Sequence, residues 1–185
     1  MTTSIETRPD FVAGTWKLDP AHSEVTFSVR HLGISKVRGS FETFDVTVVT
    51  NEDPSKNSIV ASIDVASVNT NQKDRDNHLR TGDFFLVEEF PTMDFVSTAF
   101  EANGDDFTLT GDLTLRGVTK SVVLTGEFGG ILVDGYGQTK AGATASTTID
   151  RTAFGVNWNA ALEAGGFTLG NDVSINIELQ VVLQP

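Results

Sequence analysis

Apolar and polar residues alternate along most of this chain. From Glu24 to His31, Val25, Phe27 and Val29 fall on one face and Thr26, Ser28 and Arg30 on the other, the period of a half-buried strand. The period recurs at Trp16 and Leu18, at Ile59, Ala61, Ile63 and Val65, and at Met93, Phe95, Ser97 and Ala99. It continues through Phe107, Leu109, Gly111, Leu113 and Leu115, then Val122, Leu124, Gly126 and Phe128, where Gly129-Gly130 is expected to break the run. Ala141, Ala143, Ala145, Thr147 and Ile149 form another such set, and Val173, Ile175, Ile177, Leu179, Val181 and Leu183 close the chain. Between Phe41 and Phe44 the apolar parity slips, which predicts a bulge or bend, since an uncorrected slip would turn the strand inside out. About eight strands at this spacing predict an all-β antiparallel barrel or sandwich. The last strand, about twelve residues and roughly 40 Å long, would be an aggregation-prone edge unless closed. An extended eight-stranded antiparallel barrel is therefore expected.

One stretch, Val68 to Phe100, breaks the alternation. Asn71 with Asp74 three positions on reads as a helix start, and Gly82 as its stop. Asp76 and Arg80 are spaced as a surface pair. The segment has one clear apolar residue, Leu79, so it reads as a short helical lid set across a β structure.

A chain of 185 residues suits one domain, here 14–185 behind a polar tail at 1–13. The opening residues contain acids and no apolar signal core, so a cytoplasmic location is expected. No run approaches the ~20 apolar residues of a membrane helix. The formal charge of −12 opposes binding to nucleic acid or to anionic membranes. Cysteine is absent, which removes thiol chemistry and disulfides.

Small residues on the inward parity (Ala61, Ala99, Gly111, Gly126, Ala141, Ala143, Ala145) either interlock with large ones or leave space. Strand positions of that parity carry no charge, so any space would be apolar and suited to an apolar ligand. Candidate pore residues are Val25, Phe27, Val29, Phe41, Ile63, Phe84, Phe85, Phe90, Phe95, Leu113, Ala143, Phe154, Trp158 and Ile177. His31, Arg75, His78 and Arg80 are candidates to meet a polar head group, or to brace the helix. The histidines His22, His31 and His78 with Asp76 lack a diagnostic metal spacing, and no metal or other cofactor is assigned. No nucleophile elbow or phosphate-cradling glycine loop is present, so no catalytic residue is named.

Four stretches, WKLDPAHSEVTFSVRHLGISKVRGSF (16–41), RDNHLRTGDFFLVEEFPTMDF (75–95), GDLTLRGVTKSVVL (111–124) and IDRTAFGVNW (149–158), resemble the YceI-like, polyisoprenoid-binding, lipocalin-like proteins. The resemblance implies an extended barrel whose apolar pore holds an isoprenoid lipid or the tail of an isoprenoid quinone. Many such proteins are periplasmic, and a homodimer is compatible with the family. Three functions stand as expectations: a lipid carrier or store, an enzyme acting on such a lipid through a histidine acid/base, or a filled-barrel stress or scaffold protein acting through partners.

Overall fold

A computed structural model describes residues 12–185, apart from the Pro54 side chain; residues 1–11 of the expected tail lie outside the described residues. Among the described residues eleven strands form one sheet: β1 (Gly14–Leu18), β2 (Glu24–His31), β3 (Ser35–Phe41), β4 (Phe44–Thr50), β5 (Ser58–Asp64), β6 (Val68–Asn69), β7 (Thr92–Asn103), β8 (Asp106–Leu115), β9 (Val118–Val133), β10 (Thr139–Asp150) and β11 (Leu169–Leu183). β1 and β2 lie end to end on one edge of β11, through Trp16↔Leu183 and Val25↔Ile177. β3 continues into β4 and β5 into β6 in the same way. The eleven strands thus make eight antiparallel staves, each beside its neighbour in sequence, and the first closes on the last.

Three adjacent staves are interrupted in register with one another. Pro20 cannot donate to a ladder, and Asp19 caps the resulting turn by accepting from Ala21 N–H. Asp64 does the same for Val65–Ser67. Between them, the Thr43 N–H donates to Ser67 Oγ where β3 passes into β4. The parity slip at Phe41–Phe44 is this break. Two further slips occur inside strands. Pairing of β7 with β8 shifts between Ser97 and Ala99, which leaves Ala99 exposed and turns Phe100 to the interior. Gly129-Gly130 does not end its strand; pairing with β10 shifts there, and β9 runs on to Val133. A bulge absorbs the residue that a flat reading treats as a stop.

Two of the small inward residues are not vacancies. A Cβ on Gly111 would lie 2.3 Å from the Phe95 ring and 2.6 Å from Val96 O; one on Gly126 would lie 2.2 Å from Thr144 O and 2.4 Å from the Phe107 ring. Both glycines admit a neighbouring phenyl ring against bare backbone, so they are filled wall.

The lid helix α1 (Lys73–Arg80) starts one residue later than expected. Asn71 has φ +61°, left-handed, and so cannot take the extended cap conformation; Gln72 takes it, and its Oε1 accepts from Arg75 N–H at 2.7 Å. The helix closes at Thr81 rather than Gly82. Asp76 and Arg80 do not pair on the surface. Asp76 is buried and accepts from both the N–H and the hydroxyl of Thr70, while Arg80 donates to Ala66 O and Val68 O. Arg116, in the two-residue turn between β8 and β9, donates to Gly82 O and Phe84 O at 2.7 and 2.6 Å. The lid is riveted to the barrel at three places. Asp76→Ala strands the buried Thr70 N–H and should lower stability by about 1–3 kcal/mol, read by denaturant unfolding.

At the opposite end Lys140 Nζ reaches Asp19 Oδ2 at 3.0 Å and Asp134 Oδ2 at 3.4 Å, with largely covered side chains. The hydrogen bond from Lys140, with another from His22, holds the Asp19 carboxyl below its ordinary value of 3.8. The same bond holds Lys140 above its ordinary 10.5. Asp19 therefore adds stability above pH 3.8 that is lost as pH falls through its lowered value. Lys140 adds stability below 10.5 that is lost as pH rises through its raised one. Lys140→Met should destabilise fully at pH 7, and its difference from wild type should vanish in acid once both Asp19 and Asp134 are protonated; unfolding curves across pH check this.

Candidate ligand cavity

The barrel encloses a cavity of about 920 Å³ that runs from the lid to the hairpins at the opposite end. Its middle is apolar because each stave presents one parity inward. Val25, Phe27, Ile59, Ala61, Ile63, Phe95, Leu113, Ala143 and Ile177 all line it. The volume stands at the upper end of the ~300–1,000 Å³ of small-molecule sites. Apolar space of this kind accepts apolar ligands.

Of the expected pore residues, Val25, Phe27, Val29, Phe41, Ile63, Phe84, Phe85, Phe95, Leu113, Ala143, Trp158 and Ile177 stand on the cavity wall. Two stand elsewhere. Phe154, 2% exposed, is part of the solid core beneath the turn Arg151–Phe154, and Phe90 packs on Gly117 in the β8–β9 turn. Ala61, Ala141, Ala143 and Ala145 supply the room that Gly111 and Gly126 do not.

His31, Arg75 and His78 line the lid end. Arg80 does not, because its guanidinium is spent on the carbonyls of residues 66 and 68. Arg75 uses Nε and Nη2 on Thr70 Oγ1 and Thr70 O, and the same Thr70 donates to Asp76. His78 stands edge-on to Phe84 and Trp158, with ring centres 5.0 and 4.8 Å away, and its Nε2 lies 2.7 Å from Asp83 Oδ2. His22 is remote, against Asp19 near the other end.

Arg151 also lines the lid end, 5% exposed, and the motif reading passed over it. It donates from Nε to Gly170 O at 2.9 Å and from Nη1 to Val156 O and Trp158 O at 2.8 and 2.9 Å. Burial pulls its guanidinium below the ordinary value, with the Asp150 charge pulling the other way. A signal was present, since Arg151 is the one Lys or Arg after Lys140.

The YceI-like domain model matches residues 16–181, nearly the whole barrel. The chain belongs to the YceI-like family. A UPF0312 protein of Staphylococcus aureus (strain USA300) is 40% identical over 157 residues, covering 84% of this chain and 90% of its own. Among solved structures, the YceI protein of Campylobacter jejuni superposes with TM-score 0.71 at 32% identity, over 91% of this chain and 97% of that one. A polyisoprenoid binding domain from Saccharophagus degradans does so with TM-score 0.67 at 15% identity, over 94% and 100%, a likeness of fold. The barrel and its lid are thus YceI-like architecture. Among the described residues no helix is long and apolar enough to cross a membrane.

Proposed function

We propose that this YceI-like protein binds a long isoprenoid lipid or isoprenoid quinone lengthwise in its barrel, and carries or stores it. The cavity carries the reading: about 920 Å³, apolar along its middle, with polar groups at its two ends. Flexible, branched, unsaturated chains suit a wall built of phenyl rings and branched aliphatics. The family's shared fold with a polyisoprenoid binding domain supports the ligand class. Burial of about fifteen chain carbons contributes roughly 12 kcal/mol, against about 4–15 kcal/mol lost on association. The ligand must therefore be long to bind well.

His31, Arg75 and His78 are the head-group contacts in this reading, at the lid end. Native mass spectrometry of protein purified from its own cells, followed by organic extraction, tests it. The expected result is an added mass that extracts as an isoprenoid lipid and is recovered chemically unchanged after incubation. Protein that emerges empty and takes up no added geranylgeraniol would contradict it.

A further inference from the structure

The hairpin joining β2 to β3 ends beside the cavity. His31, the last residue of β2, lines the wall, and Leu32 N–H donates at 2.7 Å to the carbonyl of Thr168, also on the wall. Past His31 the tip carries apolar side chains into solvent. Leu32 is 41% and Ile34 82% exposed, and Phe167, the neighbour of Thr168, is 64% exposed. Behind the tip Arg30 stands opposite Lys36, and Arg38 lies two residues further back; none of the three is on the cavity wall. All three bases are exposed, and none forms an ion pair among the described residues. The chain carries −12 overall, yet residues 28–38 hold three bases and no acid. Glu163 and Asp172, exposed on the adjoining loop and stave, do not pair with them.

The turn is not built for stability. Leu32 and Gly33 have φ +55° and +70°, and Ile34 N–H donates to His31 O at 3.2 Å, which makes a two-residue I′ turn. Such a turn favours Asn at its first position, and a bulky residue there is strained. The β8–β9 turn has the same form, with Arg116 at φ +49° before Gly117 at +73°, and there the strained side chain holds the lid. Leu32 holds no lid and lies outside the apolar core. Strain kept at an exposed apolar residue points to a task outside the fold.

A chain of about fifteen carbons prefers an apolar phase to water by about nine decades. It does not exchange through solvent, so the cavity must meet a bilayer. We propose that the β2–β3 hairpin is a docking finger for an anionic lipid bilayer, where the cavity takes up and releases its ligand; the exchange rests on the isoprenoid reading above. Strand rise sets Arg30 and Lys36 about 7 Å, and Arg38 about 14 Å, behind the tip residues. With Leu32, Ile34 and Phe167 sunk ~5–10 Å into the interface, Arg30 and Lys36 stand level with the lipid phosphates. Each base near an anionic surface strengthens attachment about fivefold. Screening confines that attraction to about 8 Å, so the finger meets the surface while most of the chain's acids do not.

The test floats delipidated full-length protein with vesicles. Attachment to phosphatidylcholine mixed with phosphatidylglycerol should exceed that to phosphatidylcholine alone by about tenfold or more, and salt should weaken it. Lys36→Gln combined with Arg38→Gln should weaken it about tenfold or more, and Ile34→Asn about tenfold. Leu32→Asn should weaken attachment yet raise the unfolding midpoint by about 2 °C, because the turn relaxes. Bound geranylgeraniol should pass faster to vesicles containing phosphatidylglycerol, and more slowly from each variant. Protein that ignores phosphatidylglycerol vesicles would overturn the bilayer as occupant and turn the search to an acidic protein partner. Attachment undiminished in the charge and tip variants would overturn the finger. A midpoint lowered by Leu32→Asn would return Leu32 to the fold. Attachment without faster transfer would overturn exchange at this site. Failure to take up geranylgeraniol at all would sink the isoprenoid reading, while flotation would still decide the docking.

Discussion

Ala143→Phe is expected to weaken binding of an isoprenoid chain by about a hundredfold while the unfolding midpoint stays within a few degrees of wild type. Ala143 lies on β10 between Phe128 of β9 and Leu179 of β11, and its side chain faces the cavity. A phenyl ring there enters open space rather than packed core, so the strain of overpacking is small. The ring takes volume from the ligand. Displacing about four methylenes forfeits roughly 3 kcal/mol, or about two decades of affinity. Titration with geranylgeraniol, alongside a thermal scan without lipid, reads both halves of the prediction. Unchanged affinity would mean that the chain binds elsewhere.

Gly126→Ala is expected to do the reverse and damage the fold. The new methyl would lie 2.2 Å from Thr144 O, on the backbone of the paired strand, and 2.4 Å from the Phe107 ring. A ring can swing aside, but a carbonyl in a strand ladder cannot do so without breaking register. Overpacking of this kind costs about 3 kcal/mol or more, which for a chain of this length is roughly 6–12 °C in unfolding midpoint. Calorimetry measures it. Gly111→Leu belongs to the same class, because the Phe95 ring and Val96 O already occupy the space. Alanine and glycine sites look alike in a pattern of small inward residues. In the folded barrel a ring from the next strand fills the glycine sites, while the alanine site faces the cavity.

That contrast marks what the sequence could convey. Strand parity is local, so Val25, Phe27, Ile63, Leu113 and Ile177 could be placed inward from their own neighbours. Closure followed from the length of β11. The break at Phe41–Phe44 showed in the pattern because two phenylalanines frame it. The slip at Thr98 did not, since Ala99 reads as apolar either way and unbroken alternation through Ala99 puts Phe100 on the outer face. Gly129-Gly130 looked like punctuation because a bulge and a turn draw on the same residue.

Long-range polar partners were the least legible. Asp76 looked like half of a surface pair by spacing, yet Thr70, six residues earlier, claims it and buries it. Arg80 looked like a head-group donor, yet the carbonyls at 66 and 68 lie within its reach. Arg151 and Arg116 act on loops whose positions depend on how the barrel closes. Neither follows from periodicity. The candidate site was therefore readable as a greasy wall and unreadable as a charged mouth.

The chain's two tryptophans give the most direct test of lengthwise occupancy. Both line the cavity, Trp158 at the lid and Trp16 near the opposite end, where Trp16 donates from Nε1 to Thr50 Oγ1 at 2.9 Å. In Trp16→Phe and Trp158→Phe, each retaining one indole, quenching by geranylgeraniol brominated along its chain can be followed separately at the two ends. A chain threaded through the barrel predicts quenching of both tryptophans with a shared midpoint. Quenching of neither would contradict the threaded cavity on which the functional reading stands.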